Sequence, residues 1–472
     1  MTPMRSANVF PPCVNAVIGA CLGLALLGGC ASVPQVSPSM GHASSAEAPQ
    51  MVGPRGQLSA GKIAAKTAQL TTSAEDDALL RRHIAIEQGV AEGPLIIGQT
   101  THLLRDGPTT FRATFAAISS ARRLIDMEYF IFQDVESDGV RLGDLLVAKR
   151  GEGVTVNVIY DSVGSSSTSA AFLDRLRQAG VNLVEYNPVN PLKAKARYSV
   201  NDRDHRKILV IDGTSAIMGG VNLDTGYEVS AAGQSHDVDG KPTLRMRDTD
   251  IRIDGPAASQ LEALFLAHWR AQHGAALEAP APAAAGVSKG QDVVRIIGSS
   301  PAHAVPAYYV TLLSQIRSAQ KSVTICAAFF VPTVDEMKAL TAAARRGVDV
   351  RLLLPDHGDS PLSIAVGHSH YAELLAAGVK IYETHDLVLH SKTVTIDGVW
   401  SVIGSSNFDH RSVIFNDEVD AVVLGGQTAQ DLEAMFADDQ AAAQPVDAAT
   451  WSRRPMRARL DEAYARIWQD WL

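Results

Sequence analysis

Positive charge is in short supply in this chain. The 42 Lys and Arg residues are outnumbered by 51 Asp and Glu, and the formal net charge is -9. A protein that coats a polyanion leaves a basic footprint, so a general nucleic-acid binder is not expected. A local basic pocket for one phosphate remains open. Cysteine is scarcer: only Cys13, Cys21, Cys30 and Cys326 in 472 residues. Three fall in the first thirty positions, so the body cannot rest on a disulfide framework. Cys326 lies in an apolar run and reads as a small buried residue rather than a nucleophile. A spanning run is missing too, since the apolar stretch from Val14 to Leu27 is short of the ~20 residues a transmembrane helix needs. His368, His370 and His385 fit no strong zinc spacing and read as rim or surface histidines.

The N-terminus does carry a signal. Arg5, the apolar run and then Gly28, Gly29 and Cys30 describe a secretory leader. Leu27-Gly28-Gly29-Cys30 resembles a bacterial lipobox, and a plain leader that happens to contain Cys is the competing reading. The resemblance implies a lipoprotein signal peptide over 1–29 and lipidation at Cys30. Because Ala31 rather than Asp follows, it also implies an exported, lipid-anchored envelope protein at the outer membrane, facing the periplasm. Residues 30–75 form a tether and N-terminal segment, rich in Ser, Pro, Ala and Gly as far as about Gln57.

The body repeats itself. Leu145–Asp161 matches Ala339–Asp356, Leu173–Pro188 matches Ala372–Asp386, and His205–Asn222 matches His390–Asn407, in the same order. Within each block apolar positions at helical spacing run into a Gly, and a β-branched run follows. Helices alternating with apolar strands predict an α/β sheet covered on both faces. The expected layout is a first half over 76–272, an Ala/Pro linker over 273–290, a second half over 291–430 and a helical tail over 431–472. The tail, with Trp451, Leu460, Tyr464, Ile467 and Trp471, is expected to pack its apolar face on the body.

Both copies read His-x-Lys-x4-Asp-x6-Gly-x2-Asn: His205, Lys207, Asp212 and Asn222, then His390, Lys392, Asp397 and Asn407. On a strand, residues two apart share a face, so an imidazole stands beside an ammonium. Asp212-Gly213 and Asp397-Gly398 read as hairpin turns that bring the Asn back on the next strand. These groups suit a phosphodiester. Imidazole can attack phosphorus, Lys and Asn can hold the non-bridging oxygens, and a second His can protonate the leaving alkoxide. One copy cannot be both nucleophile and acid, whereas two copies in one cleft can.

The paired motifs resemble those of the phospholipase D superfamily, over roughly 103–423. Flanks such as "NDRDHRKILVIDG", "RDTDIRIDGP" and "SSNFDHRSVIFNDE" are most similar to bacterial cardiolipin synthases. The resemblance implies two pseudo-symmetric halves, each a mixed sheet flanked by helices, sharing one active-site cleft. It implies no cofactor and no metal, with His205 as nucleophile and His390 as acid. It implies further that Glu418 orients His205 and Asp248 orients His390, while Asp212 and Asp397 hold the strand–turn geometry. The implied chemistry is transfer of a phosphatidyl group to a lipid alcohol, on membrane phospholipids such as phosphatidylglycerol, with one chain sufficient for a site. A hydrolytic phospholipase D, a nuclease and a silent envelope scaffold are the alternatives. Arg247 and Arg411 are candidates for lipid phosphate or for ordinary ion pairs.

Overall fold

The computed structural model describes residues 50–53, 56–90, 93–194, 198–228, 246–277, 290–303, 306–358 and 360–472. The signal-peptide and Cys30 readings, and most of the Ala/Pro linker, lie outside them. All described residues belong to one compact unit, 34–472.

Seven strands recur twice. The first set is β1 (Leu95–Arg105), β2 (Leu124–Tyr129), β3 (Thr155–Asp161), β4 (Asn182–Tyr186), β5 (Lys207–Ile211), β6 (Ser215–Gly219) and β7 (Thr249–Asp254). The second is β8 (Asp292–Ser299), β9 (Ser322–Ala327), β10 (Asp349–Pro355), β11 (Lys380–Thr384), β12 (Lys392–Ile396), β13 (Trp400–Gly404) and β14 (Asn416–Leu424). The pairings run β4-β3-β2-β5-β6-β7-β1 in the first half and β11-β10-β9-β12-β13-β14-β8 in the second. Strand for strand the order is the same, and β1 pairs β8 to join the halves.

The local reasons are legible in each repeat. β2, β3 and β4 are parallel, so helices must carry the chain back between them. Leu142–Gly151 and Ala170–Gln178 do so, and Val334–Arg345 and Pro361–Ala377 do so in the second half. Thr333 and Glu336 close a capping box at the start of the third of these, satisfying backbone donors that the helix cannot. β5 and β6 are antiparallel, joined at Asp212-Gly213, where both residues have positive φ as a tight hairpin turn requires.

The motif aspartates sit at these turns, not in the cleft. The Asp212 carboxylate accepts the backbone N–H of Arg122, Arg123 and Leu124 at 2.8–3.0 Å, which pins the start of β2 to the end of β5. Asp397 accepts from Gln320, Lys321 and Ser322 at 2.7–3.1 Å, and its other oxygen lies 3.1 Å from His83 Nε2. This is the strand–turn role expected of them, and they stand at the opposite end of a five-residue strand from their Lys.

Alternation on β5 divides two cores. Leu209 and Ile211 face the first half's own core, whereas Ile208 and Val210 face a core shared with Ile403, Val419, Ala421 and Val423 of the second half. Each fully buried side chain of this size contributes about 1.5–3 kcal/mol, so the shared core holds the halves as one body. Helix α1 (Ala74–Val90) crosses to the second half: Glu87 bonds Arg295 and Trp400, and His83 bonds Gln315.

The tail departs from expectation. Trp451 packs at a tilt on Tyr371 and edge to face with His368, but Leu460, Tyr464 and Ile467 are 64%, 62% and 71% exposed. They face solvent because Glu462 and Ala465, not the larger residues, occupy the side of the helix turned to the body.

Candidate active site

The two histidines are positioned by equivalent crossings between the halves. Arg203–Asp204 pairs in parallel with Asn416–Asp417, and the His205 N–H donates to the Asp417 carbonyl at 2.9 Å. Met246–Arg247 pairs in parallel with Val388–Leu389, and the His390 N–H donates to the Arg247 carbonyl at 2.8 Å. The residue after each of those carbonyls is a buried carboxylate, so each histidine meets the carboxylate of the other half.

His205 Nδ1 lies 3.0 Å from Glu418 Oε2 and 3.1 Å from Oε1. Glu418 also accepts from Ser405 Oγ, Ser412 Oγ and Asn416 Nδ2. Burial raises its carboxyl, but His205, Lys207 and these donors outweigh burial and hold it below the usual range. His390 Nδ1 lies 2.7 Å from Asp248 Oδ2 and 2.8 Å from the Tyr227 hydroxyl, which also donates to Asp248 at 3.2 Å. Burial pushes Asp248 up, and Lys392 and His390 pull it below the ordinary value. A carboxylate on Nδ1 leaves Nε2 as the reactive nitrogen of each ring.

Tyr227 and Ser412 are the residues that sequence reading missed. Each stands five positions after its motif Asn, and each donates to the carboxylate of its own half. Aligning the repeats past Asn222 and Asn407 sets the two opposite each other, but a Tyr facing a Ser carries no sign of a shared role. Glycine also matters at one position: a Cβ on Gly220 would come within 2.2 Å of Asp248 Oδ1, so only Gly leaves that carboxylate its place.

The lysines stand on the same strand faces as their histidines. Lys207 Nζ donates to the His205 carbonyl at 2.6 Å and lies over the Phe130 ring, 5.4 Å from its centroid. Lys392 Nζ donates to the His390 carbonyl and lies 2.8 Å from Nδ1 of the same ring. Phe130 meets His205 edge to face, and Phe329, one position further along its repeat, meets His390 likewise, which limits the rotation of both imidazoles. Asn222 Oδ1 accepts the Ile131 N–H at 3.2 Å, leaving its NH2 as donor. Asn407 Oδ1 is buried without a hydrogen-bond partner.

The electrostatics tie the two motifs into one site. Burial draws Lys207 down to about 7 and Lys392 down to about 8, and Lys392 adds to the depression of Lys207. Burial also lowers both histidines, His390 to about 4, with Lys392 and then Lys207 opposing its protonation. An empty cleft is therefore short of anionic charge. A phosphodiester anion supplies that charge, and it raises the lysines and the histidines together.

That linkage has a measurable consequence. At pH 7.5, lysines at about 7 and about 8 together lack roughly one proton. Binding of a dialkyl phosphate, which has no proton of its own to move in this range, is expected to take up about one proton by the lysines and up to one more by His390. The lysines' share fades below pH 6, where both amines are already charged, and affinity weakens as pH rises above 8. Calorimetry in two buffers of different ionisation enthalpy reads the uptake, and a heat independent of buffer would refute it.

Other candidates fall elsewhere. Arg247 pairs with Asp439 at 2.8 Å and is structural. Among the described residues no carboxylate is in hydrogen-bond contact with Arg411; it donates to the Asn201 carbonyl at 3.0 Å. His368 bonds Glu383, His385 bonds Asp356, and His370, expected at a rim, is buried and bonds Gln469. Beneath His205, Glu128, Asp204 and His268 bring ligand atoms within 4.8 Å of one another. Arg206 already places a guanidinium there, 3.2 Å from Glu128.

Comparison with known proteins follows the same division into repeats. A family profile described as "Cardiolipin synthase, PLD-like domain" matches residues 115–232 and 312–440. Cardiolipin synthases of Geobacillus sp. (strain WCH70) and Geobacillus thermodenitrificans (strain NG80-2) are each 34% identical, over 80% and 82% of this chain and 73% and 74% of their own. Cardiolipin synthase 2 of Bacillus cereus is 34% identical over 78% of this chain and 70% of its own. The solved structure of a phosphatidylserine synthase from Haemophilus influenzae Rd KW20 is similar with a TM-score of 0.62 at 13% identity, over 83% of this chain and 98% of that one. That likeness is one of fold.

These relatives correct the expected location. They are cardiolipin synthases rather than outer-membrane lipoproteins, so the lipid-anchored, periplasm-facing outer-membrane placement is not retained. Among the described residues no helix is long and apolar enough to cross a membrane.

Proposed function

The chain belongs to the cardiolipin synthase family of phospholipase D-like proteins, and from that premise we propose how its cleft transfers a phosphatidyl group between membrane phospholipids. His205 Nε2 attacks the phosphorus of a phosphatidylglycerol, and the P–O bond to the headgroup glycerol breaks. His390, protonated once the phosphodiester has compensated Lys207 and Lys392, gives its proton to the departing oxygen. The phosphatidyl group is then held on His205 by a P–N bond. A hydroxyl of a second phosphatidylglycerol attacks that phosphorus, passes its proton to His390, and releases His205. The products are cardiolipin and glycerol. Lys207, Lys392 and the amides of Asn222 and Asn407 hold the non-bridging oxygens.

The observation that carries this reading is the exchange of partners between halves. Glu418 of the second half holds His205, and Asp248 of the first holds His390. Each half alone has a histidine without its orienting carboxylate, while one chain has two complete pairs.

The test is mass spectrometry of lipids after the purified chain is incubated with phosphatidylglycerol vesicles. Cardiolipin and free glycerol in equal amounts are expected. Phosphatidic acid without cardiolipin would mean that water takes the place of the second lipid, and the chain would be a hydrolase.

A further inference from the structure

The last helix, α2 (Met456–Ala465), continues into a tight turn over Arg466–Trp471. Met456, Leu460, Tyr464 and Ile467 are 67%, 64%, 62% and 71% exposed. At roughly 100° per residue these four fall within about 80° of one another, on the side opposite the buried Glu462 and Ala465. Single exposed apolar residues are ordinary, but a line of four on one helix marks an interaction surface.

Charge identifies the partner. Although the chain carries -9 overall, residues 453–466 hold five arginines against Asp461 and Glu462. Arg454 is taken up by Glu462, at 2.6 and 2.7 Å. Exposed Arg457 borders one side of the apolar stripe, and exposed Arg459 and Arg466 border the other. Apolar side chains bracketed by arginines fit a helix lying in a bilayer interface, its rings and chains among the acyl tails and its guanidinium groups among anionic headgroups.

The stripe connects to the cleft. The Arg411 N–H donates to the Leu472 carbonyl at 3.0 Å, and its guanidinium donates to the Asn201 carbonyl at 3.0 Å. Arg411 adjoins Ser412, which bonds Glu418. The C-terminal end of this element is thus tied to Arg411, the residue beside Ser412, a partner of the His205–Glu418 pair.

We propose that the outward face of α2 is the surface on which this protein lies against an anionic phospholipid bilayer. This rests on the reading that its substrates are membrane phospholipids. Cosedimentation with phosphatidylglycerol vesicles and with phosphatidylcholine vesicles tests it. The wild-type chain is expected to prefer the anionic vesicles. Leu460→Asp/Ile467→Asp is expected to weaken that binding about tenfold or more. Arg457→Ser/Arg466→Ser is expected to lose the preference for anionic vesicles. All four altered positions are exposed, and thermal melts check that the variants fold. Equal sedimentation of the aspartate variant and the wild type would overturn the proposal. So would a variant that changes only from dimer to monomer by light scattering, because the face would then belong to a second copy of the chain. Vesicle binding that the aspartates abolish, in a wild-type chain that forms no phosphatidyl product, would leave the docking surface standing and remove the proposed function instead.

Discussion

His205→Ala is expected to abolish the reaction of every substrate, whereas His390→Ala is expected to block the first step only where the leaving group needs a proton. With phosphatidylglycerol the headgroup departs as an alkoxide, so loss of the acid costs about 10²–10⁴-fold in rate. With a p-nitrophenyl phosphodiester the departing phenolate is stable without protonation. His390→Ala should then release one equivalent of nitrophenol in a burst and accumulate a phosphorylated His205, because the group that activates the second alcohol is gone. His205→Ala should show neither burst nor adduct, with losses of about 10⁴-fold or more on both substrates. Acid-quenched peptide mass spectrometry locates the adduct. The reverse pattern, an adduct on His390 in His205→Ala, would exchange the two roles. The experiment is needed because the geometry is nearly symmetrical: each ring has a carboxylate on Nδ1, an aromatic edge against it and a lysine two residues on.

The parts legible from sequence are those that the duplication writes twice. His205 and His390, their lysines, and the alternation of helices with apolar strands all recur at the same spacing, so a chance match in one half is checked by the other. The aspartates show what a motif holds besides its cleft residues. Asp212 and Asp397 belong to the motif by position but serve three backbone N–H groups apiece at the far turn. A motif records which residues must be present, not which reach the cleft. Tyr227 was illegible for a different reason. Its counterpart is Ser412, and no substitution rule connects a phenol to a serine until both hydroxyls are seen on a carboxylate. The crossing of α1 onto the second half was illegible as well, since it depends on His83 and Glu87 finding partners more than two hundred residues away. The tail failed because amphipathicity states that a helix has an apolar face and not which way it turns. Small Ala465 and a paired Glu462 took the inner side, where bulk was expected.

The two orienting carboxylates, similar in sequence role, should differ in how much the chain needs them. Glu418→Gln keeps the shape but places an amide NH2 among four donors, His205 Nδ1, Ser405, Ser412 and Asn416, where only acceptors fit. None of those neighbours bonds His205 itself, so nothing substitutes for the lost acceptor. The ring loses its tautomer, and Lys207 loses the charge that most supports its protonation. A loss of about 10⁴-fold in kcat is expected, by analogy with a serine-protease triad deprived of its aspartate. Asp248→Asn should cost less, about 10²–10³-fold, because the Tyr227 oxygen already stands 2.8 Å from His390 Nδ1 and can accept its proton. Since Asp248 also raises His390, the variant should require a lower pH for its acid, moving the alkaline limb of the rate profile downward. Adding Tyr227→Phe should remove the remaining activity, and the double loss should exceed the sum of the two single losses in free energy. Equal losses for Glu418→Gln and Asp248→Asn, or simple additivity with Tyr227→Phe, would mean that the hydroxyl holds the carboxylate in place and nothing more.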